Sequence, residues 1–490
     1  MPINSIGTGC ATYGFIEAIE WMRFDTKDGT HSLIHLPLGH LLIYLLNQDY
    51  LMYQNRINAI SEQMDDYIAA LREGVTRGYI SSVDVCRNFE SQITNLINSE
   101  LDEFYAPLKN DNYKTIFTTE EQSVMSETIQ NVKKQFSRFL DFYKQEYEPV
   151  LSKITGCKSL PNGDNLYAVC CKWHTTTDLT PAEIHQIGVN EVAVIESRIK
   201  NEVLVPLGFN NFNDFVEHVK TEPSFYKKNT EELLNVYRQI TDEIYSVLPK
   251  YFNEIPRSPL EIVGRNNGPS AFYLVGTADG KRPGRFYVNC SHVEKSPTYE
   301  AVALALHEAI PGHHFQVSLA LENERLPSFL RYIEDRRYEI TPCRRNLYTS
   351  YIEGWALYCE HLGEEMGFYK SPYDLFGKFS MDMMRAVRLV VDTGIHYYGW
   401  SAEKAIEYFM EKTGMHLHEA EREIYRYCAW PGQALGYKIG QLEILKIRKF
   451  AETELGSKFD IKEFHSIVLS CPLPLNILKN MIDKWVESKK

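Results

Sequence analysis

Three histidines and a glutamate fall within eight positions, His307, Glu308, His313 and His314, in the run ALALHEAIPGHHFQ from 303 to 316. Neutral imidazole is the commonest zinc ligand, and a carboxylate beside the first imidazole could serve as a base. The usual helical form of this chemistry, H-E-x-x-H, sets its histidines one turn apart on one face. Here the position four after His307 is Pro311, and the chain reads HExxPGHH. Pro311 has no amide hydrogen and its ring crowds the carbonyl of His307, while Gly312 adds a flexible joint. The spacing therefore predicts a kink or bulge between Glu308 and His313. A straight helix would bring His314, seven residues on, to the face of His307. A bulge that absorbs two residues brings His313 there instead, and this is the favoured reading. The bland alternative is a buried helix with incidental histidines near a kink. Four such residues behind the apolar AVALAL argue against it.

A catalytic zinc site needs a third protein ligand, which in His₂Glu enzymes is a carboxylate. The segment RYEITPCRRNLYTSYIEGWALYCEHLG carries Glu353 and Glu360, seven apart on one helical face, beside Trp355, Ala356 and Leu357. A carboxylate buried in that company would need a cation. Glu353 is the preferred ligand because Gly354 would let backbone approach the histidine helix closely, and Glu360 is then placed to orient a ligand imidazole. Farther on, Asp392 and His396 are four apart, so Asp392 could orient or charge that ring. His396, Tyr427 and Tyr437 are candidates for stabilising an oxyanion opposite the metal, with Tyr427 also a candidate substrate contact. Arg388 and Lys438 could hold a substrate carboxylate, a structural ion pair being the competing role.

The elements that must position these groups are mostly helical. Residues 48–75, 82–110 and 119–150 carry apolar positions at three- and four-residue spacing, and the Tyr and Phe stripe of the last reads as core. A loop at 156–165 follows, and YAVCCKWHTTTDL reads as a short strand. Thr180 is then an N-cap, with Pro181 at the first helical position, Glu183 closing a capping box and the helix running to about Leu204. Another helix spans about 229–250. His174 and His185 read as structural. AFYLVG and GRFYVNC, joined by TADGKRPG, form a hairpin directly before the histidine segment. Such a strand can pair with an extended peptide or simply cap the core.

With 490 residues, the chain can bury one large core or two to three smaller ones. A hydrophobic fraction of 44% and a charged fraction of 24% are those of an ordinary soluble protein. A net charge of −13 with no basic face argues against a nucleic-acid partner. The N-terminus lacks a basic start and an unbroken apolar core, and LPLGHLLIYLL (36–46) is too short to span a bilayer. Ten cysteines are too sparse for a disulfide framework. The expectation is a cytoplasmic chain with no membrane span, or a secreted one if a leader lies upstream.

Four ordered motifs carry a resemblance: HEAIPGHHFQ, YIEGWALYCE, RLVVDTGIHYYGW (388–400) and RYCAWPGQALGYKIGQLEI (426–444). Together with TTTDLTPAEIH and RPGRFYVN, they resemble the domain-of-unknown-function 885 family over at least residues 170–450. The resemblance implies a mainly α fold, a large helical shell around a central cleft, similar to the oligopeptidases related to angiotensin-converting enzyme and thimet oligopeptidase. It implies one catalytic domain over 1–490, in two lobes flanking the cleft, with a small hairpin or sheet beside the metal-site helix. It further implies a zinc metallopeptidase with one Zn²⁺ that admits short or unfolded peptides. Those peptidases place a glycine before the second histidine, as Gly312-His313 does here. On this reading His307, His313 and Glu353 hold the ion, with His314 the alternative ligand, and Glu308 is the general base. The competing readings are a non-catalytic protein with a structural metal site and a zinc hydrolase of other amides or esters.

Overall fold

Amphipathic helices make up most of the molecule. The computed structural model describes residues 47–101, 104–105, 118–266, 270–332 and 348–490. The N-terminal stretch, the run at 36–46 and the last part of the helix expected over 82–110 lie outside the described residues. The chain divides into two compact units. One comprises residues 1–166, 395–405 and 421–431, the other residues 167–394, 406–420 and 432–490.

The first unit is built on α1 (Asn47–Arg77), α2 (Phe89–Asn98) and α3 (Thr119–Phe142). Ile57, Ile60, Met64, Ile68 and Leu71 of α1 recur every three or four residues, and so do Met125, Ile129, Val132, Phe136 and Phe139 of α3; all are buried in one core. That spacing puts each set on a single helical face, so packing the faces together removes both stripes from water. Phe89 meets Phe139 edge-on at 5.6 Å, so the aromatic stripe is core as expected. The helix expected over 82–110 is instead a single turn, Val83–Cys86, followed by α2, which stops at Asn98.

The segment YAVCCKWHTTTDL is not a strand. It lies largely in α4 (Gly163–Thr175), which begins inside the expected loop. Leu166, Tyr167, Cys170, Cys171, His174 and Thr175 are its buried side chains, a three-to-four-residue repeat that only a helix can bury together. Thr180 caps α5 (Pro181–Arg198) through the reciprocal bonds with Glu183, and a wide π-type turn extends it to Leu204. α6 (Thr230–Val247) follows.

The β signal is real but larger than a hairpin. β1 (Leu260–Arg265), β2 (Ala271–Leu274) and β3 (Gly284–Asn289) form a sheet in the order β1-β3-β2. β2 and β3 are antiparallel, with Ala271 opposite Val288, whereas β1 runs parallel to β3 with Leu260 opposite Gly284. In β3, Gly284, Phe286 and Val288 are buried and the residues between them less so, the alternation of a sheet with one face on the core.

The second unit continues with the histidine segment, then α7 (His313–Glu322), α8 (Thr349–Glu365), α9 (Pro372–His396, as far as Gly394) and α10 (Leu435–Leu455). α8 and α10 cross where glycine faces glycine. A Cβ on Gly354 would lie 2.5 Å from the Cα of Gly440, and one on Gly440 would lie 2.1 Å from the carbonyl oxygen of Ser350. Gly354 therefore serves the approach of α10, not of the histidine segment as expected. Gly363 takes that second role, since its Cβ would lie 2.2 Å from a methyl of Leu306. No described helix is long and apolar enough to cross a membrane.

Candidate metal centre

Ala301 to Ile310 are buried without exception, so this stretch is held by packing on every side. A short helix, Ala301–Leu304, widens into a π-type turn over Ala305–Ala309, closed by the Ile310 N–H donating to the Ala305 carbonyl at 3.2 Å. The helix then stops, because Pro311 has no N–H to continue the ladder. The Ile310–Pro311 bond is cis. Gly312 folds back over the turn it has just left. A Cβ there would lie 1.9 Å from the carbonyl oxygen of His307 and 2.4 Å from that of Leu306, so only glycine fits. The indole N–H of Trp355 donates to the Pro311 carbonyl at 2.8 Å, which satisfies an acceptor left over at the break. A new helix, α7, starts with His313 as its first residue.

The break brings His313, rather than His314, to His307. The two rings stand at 88° with centroids 4.7 Å apart. The Nε2 atoms of His307 and His313 lie 3.5 and 3.3 Å from Oε2 of Glu353. One atom from each of the three residues falls within 4.8 Å of the others. α8 supplies Glu353 and, two turns on, Glu360, whose carboxylate accepts from Nδ1 of His307 at 2.7 Å. That bond fixes the tautomer and leaves Nε2 directed at the cluster. Burial alone would depress the His307 imidazole, but Glu353 and Glu360 outweigh it and push it up to about 9. Burial would raise the Glu353 carboxyl; His313 and His307 instead hold it well below the usual range. Two imidazole nitrogens and a carboxylate oxygen thus converge in a set that could hold a cation.

Glu308 is buried at 8% exposure, yet among the described residues its carboxylate makes no hydrogen bond or ion pair. His314 points away from the cluster. Its Nδ1 lies 3.2 Å from the Tyr273 hydroxyl of β2, and burial pushes the imidazole down to about 4. The small sheet therefore braces the histidine segment through this pair.

The other residues singled out by sequence have partners of their own. His396 has both nitrogens committed to backbone, accepting from the Cys157 N–H at 3.1 Å and donating to the Tyr427 carbonyl at 2.9 Å. Burial pushes it down to about 4, so it is neutral and has no N–H left for an oxyanion. Asp392 accepts from the Tyr167 hydroxyl at 2.6 Å and from the Gly432 N–H at 3.1 Å. The Tyr427 hydroxyl donates to Glu423 at 2.6 Å. Lys438 is buried between Asp382 at 2.7 Å and Glu191 at 3.1 Å, the ion pairing that the sequence held open as its competing role. Arg388 lies over the ring of Tyr437, 4.5 Å from its centroid. His174 and His185 are structural, hydrogen-bonded to Thr349 and Thr393. Trp355 is the residue that sequence reading undervalued. Its only signal was an indole two residues after the ligand candidate.

Comparison with known proteins places the chain. Residues 22–482 match the family described as "Bacterial protein of unknown function (DUF885)", and the chain belongs to that family. It is similar to a candidate lipoprotein from Colwellia psychrerythraea, with 29% identity and a TM-score of 0.87 over 96% of this chain and 81% of that one. A candidate lipoprotein of unknown function from Shewanella oneidensis shares 18% identity and a TM-score of 0.62, over 87% of this chain and 78% of that one. The second likeness concerns the fold alone. No curated protein matches.

Proposed function

We propose that this member of the DUF885 family is a zinc-dependent peptidase acting on short or unfolded peptides, with His307, His313 and Glu353 as the ligands. The observation that carries the reading is the convergence of two imidazole nitrogens and a carboxylate oxygen within 4.8 Å of one another in a buried setting. The donor set is the His₂Glu set of catalytic zinc sites, and among the described residues the cluster has three members rather than the four of a closed structural site. The Glu360–His307 bond adds the carboxylate that commonly orients a ligand imidazole. A bound zinc ion would supply Lewis acidity, lowering the pKa of water towards about 7 and polarising a carbonyl.

The chain's own part in hydrolysis is proton handling and positioning. Glu308 follows His307 directly, and its uncommitted carboxylate can accept a proton from water and pass it to the leaving amine. Glu353 and Glu360 are tied to imidazoles and are poorly placed for that task. Trp355 and Gly312 keep His313 in register with His307 by fixing the break between them.

The test is metal content measured on the purified full-length protein, together with hydrolysis of a peptide library that includes non-peptide amides and esters. Glu308→Gln should keep fold and zinc and lose hydrolysis by on the order of 10²- to 10⁴-fold. A protein that holds one zinc ion per chain and cleaves no member of the peptide library would sink the reading.

A further inference from the structure

The face of α9 that touches the chain just ahead of the histidine segment carries a buried cation with no ion-pair partner among the described residues. Gly377, Met381 and Arg385 are four apart and so share a helical face. A Cβ on Gly377 would lie 1.9 Å from the carbonyl oxygen of Tyr299, so α9 touches the chain just ahead of the histidine segment. Met381 belongs to the same apolar core as Leu304, Leu306 and Ile310. Arg385 is the next position on that face and is 5% exposed. Its Nη1 donates only to the carbonyl oxygen and the sulfur of Met381, at 3.1 and 3.2 Å. Its Nε is enclosed with no partner. Among the described residues, no acid forms an ion pair with it.

A guanidinium cannot shed its proton to escape burial, so an enclosed arginine needs an anion. Glu300 senses the charge of Arg385 without forming an ion pair with it. Burial and the neighbouring Glu419 push Glu300 up to about 7, which leaves it a weak counter-charge at neutral pH. We infer that Arg385 recognises a carboxylate of the substrate. A carboxylate fits better than a phosphate because a single guanidinium, with Glu300 and Glu419 nearby, balances one negative charge and not two. A peptide offers such a group at its C-terminus and on Asp or Glu side chains. The inference rests on the peptidase reading for the identity of the substrate, but not for the binding itself.

The experiment uses two matched pairs of N-acetylated peptides, one pair ending in a carboxylate or a carboxamide, the other carrying Glu or Gln at one internal position. In the wild type, one carboxylate-bearing member should exceed its neutral partner in kcat/KM by about 10- to 100-fold, the worth of a hydrogen bond to a charged group. The pair that shows the preference identifies the source of the carboxylate. Arg385→Gln should collapse that ratio towards one, and Arg385→Lys should restore part of it. Melting of Arg385→Gln should be at or above the wild-type temperature, because an unpaired buried charge has been removed. A lower melting temperature with equal losses on both members of each pair would overturn the proposal in favour of a structural role. Equal rates within both pairs in the wild type would overturn it too. Calorimetric titration of the same peptides into Glu308→Gln protein, with and without Arg385→Gln, reads binding apart from turnover. Carboxylate-selective binding that Arg385→Gln removes supports the site even if the wild type cleaves nothing, an outcome that defeats only the peptidase reading. No binding difference overturns the site whatever the wild type cleaves.

Discussion

Glu353 and Glu360 stand on one face of α8 and both meet His307, yet their loss should be felt very differently. Glu353 faces the Nε2 atoms of both imidazoles at 3.5 and 3.3 Å and is the only carboxylate in the three-membered cluster. Glu353→Gln would leave a dication facing two neutral rings. Removing one member of a buried charge pair costs about 3–5 kcal/mol, or roughly 10²- to 10⁴-fold in zinc affinity. Glu360 touches only Nδ1 of His307, at 2.7 Å, and Glu360→Gln keeps an acceptor there while removing the charge. Loss of such an orienting group typically costs about 10- to 100-fold, which is about 1.4–2.7 kcal/mol. The assay is competition for zinc against a chromophoric chelator, with circular dichroism to confirm that each variant is folded. All titrations belong at one pH, since His307, raised to about 9 by Glu353 and Glu360 against the pull of burial, must lose a proton before it can ligate. Glu353→Gln should be the weaker binder by at least about tenfold. Equal losses, or wild-type affinity in Glu353→Gln, would refute the assignment of ligand and orienting group.

His313→Ala should strip zinc, whereas His314→Ala should keep it and lose about 1–3 kcal/mol of stability from the packing against Tyr273. Zinc titration and urea unfolding of the pair would expose the reverse pattern, which would move the ligand role to His314. Gly312→Ala must push its Cβ away from carbonyl oxygens at 1.9 and 2.4 Å, so both melting temperature and zinc affinity should fall, with about 3 kcal/mol or more of stability lost. A wild-type melting temperature would mean the turn is not folded over His307. Acid should destabilise the protein through buried neutral histidines, since burial pushes His174 and His465 down to about 3 and His314 and His396 to about 4. The unfolded chain binds these protons near pH 6.5 and the folded one does not, so stability falls as pH drops from about 6.5 towards 3–4, by about 2 kcal/mol per histidine at pH 5. His465→Gln, whatever it costs at pH 7, should shrink the loss between pH 7 and pH 5 by about that amount in urea titrations. An unchanged acid slope would count against this account.

What the sequence made legible is what local spacing controls. The proline in HExxPGHH forbids a continuous helix, and from that alone a bulge bringing His313 towards His307 could be read. Glu353 and Glu360 declared themselves by their seven-residue spacing, and Thr180 with Glu183 by a three-residue one. The misreadings concern partners far away in the chain. His396 sits at a helical spacing from Asp392 but finds its partners at Cys157 and Tyr427, which no local pattern names. For Lys438 the spacing leaves a substrate anchor and an ion pair both open, because Glu191 is so distant in sequence. Gly354 was correctly read as a close approach, but the identity of the approaching backbone, Gly440, is a fact of tertiary packing. α4 was misread because Val169, Cys170, Cys171 and Trp173 favour extended chain, and the three-to-four-residue repeat that overrides them becomes evident only with burial.

The interruption of the motif also has an electrostatic consequence. A continuous helix would carry both histidines in its interior, where the backbone presents little net charge. Here His313 opens α7, so the unpaired N–H groups of that helix's first turn lie at the cluster. This positive end would oppose a cation facing it alone. It does not face one alone, because Glu308, Glu353 and Glu360 surround His307 and raise or share its proton. Three carboxylates against a dication would leave the centre one negative charge in excess, and the start of α7 lies where it can offset that excess. The same offset bears on the division of labour among the carboxylates. Glu353 and Glu360 are engaged by imidazole contacts, whereas Glu308 has no hydrogen-bond or ion-pair partner among the described residues. On the proposed reading, an uncommitted carboxylate beside a bound zinc ion would be the group best able to take a proton from water there.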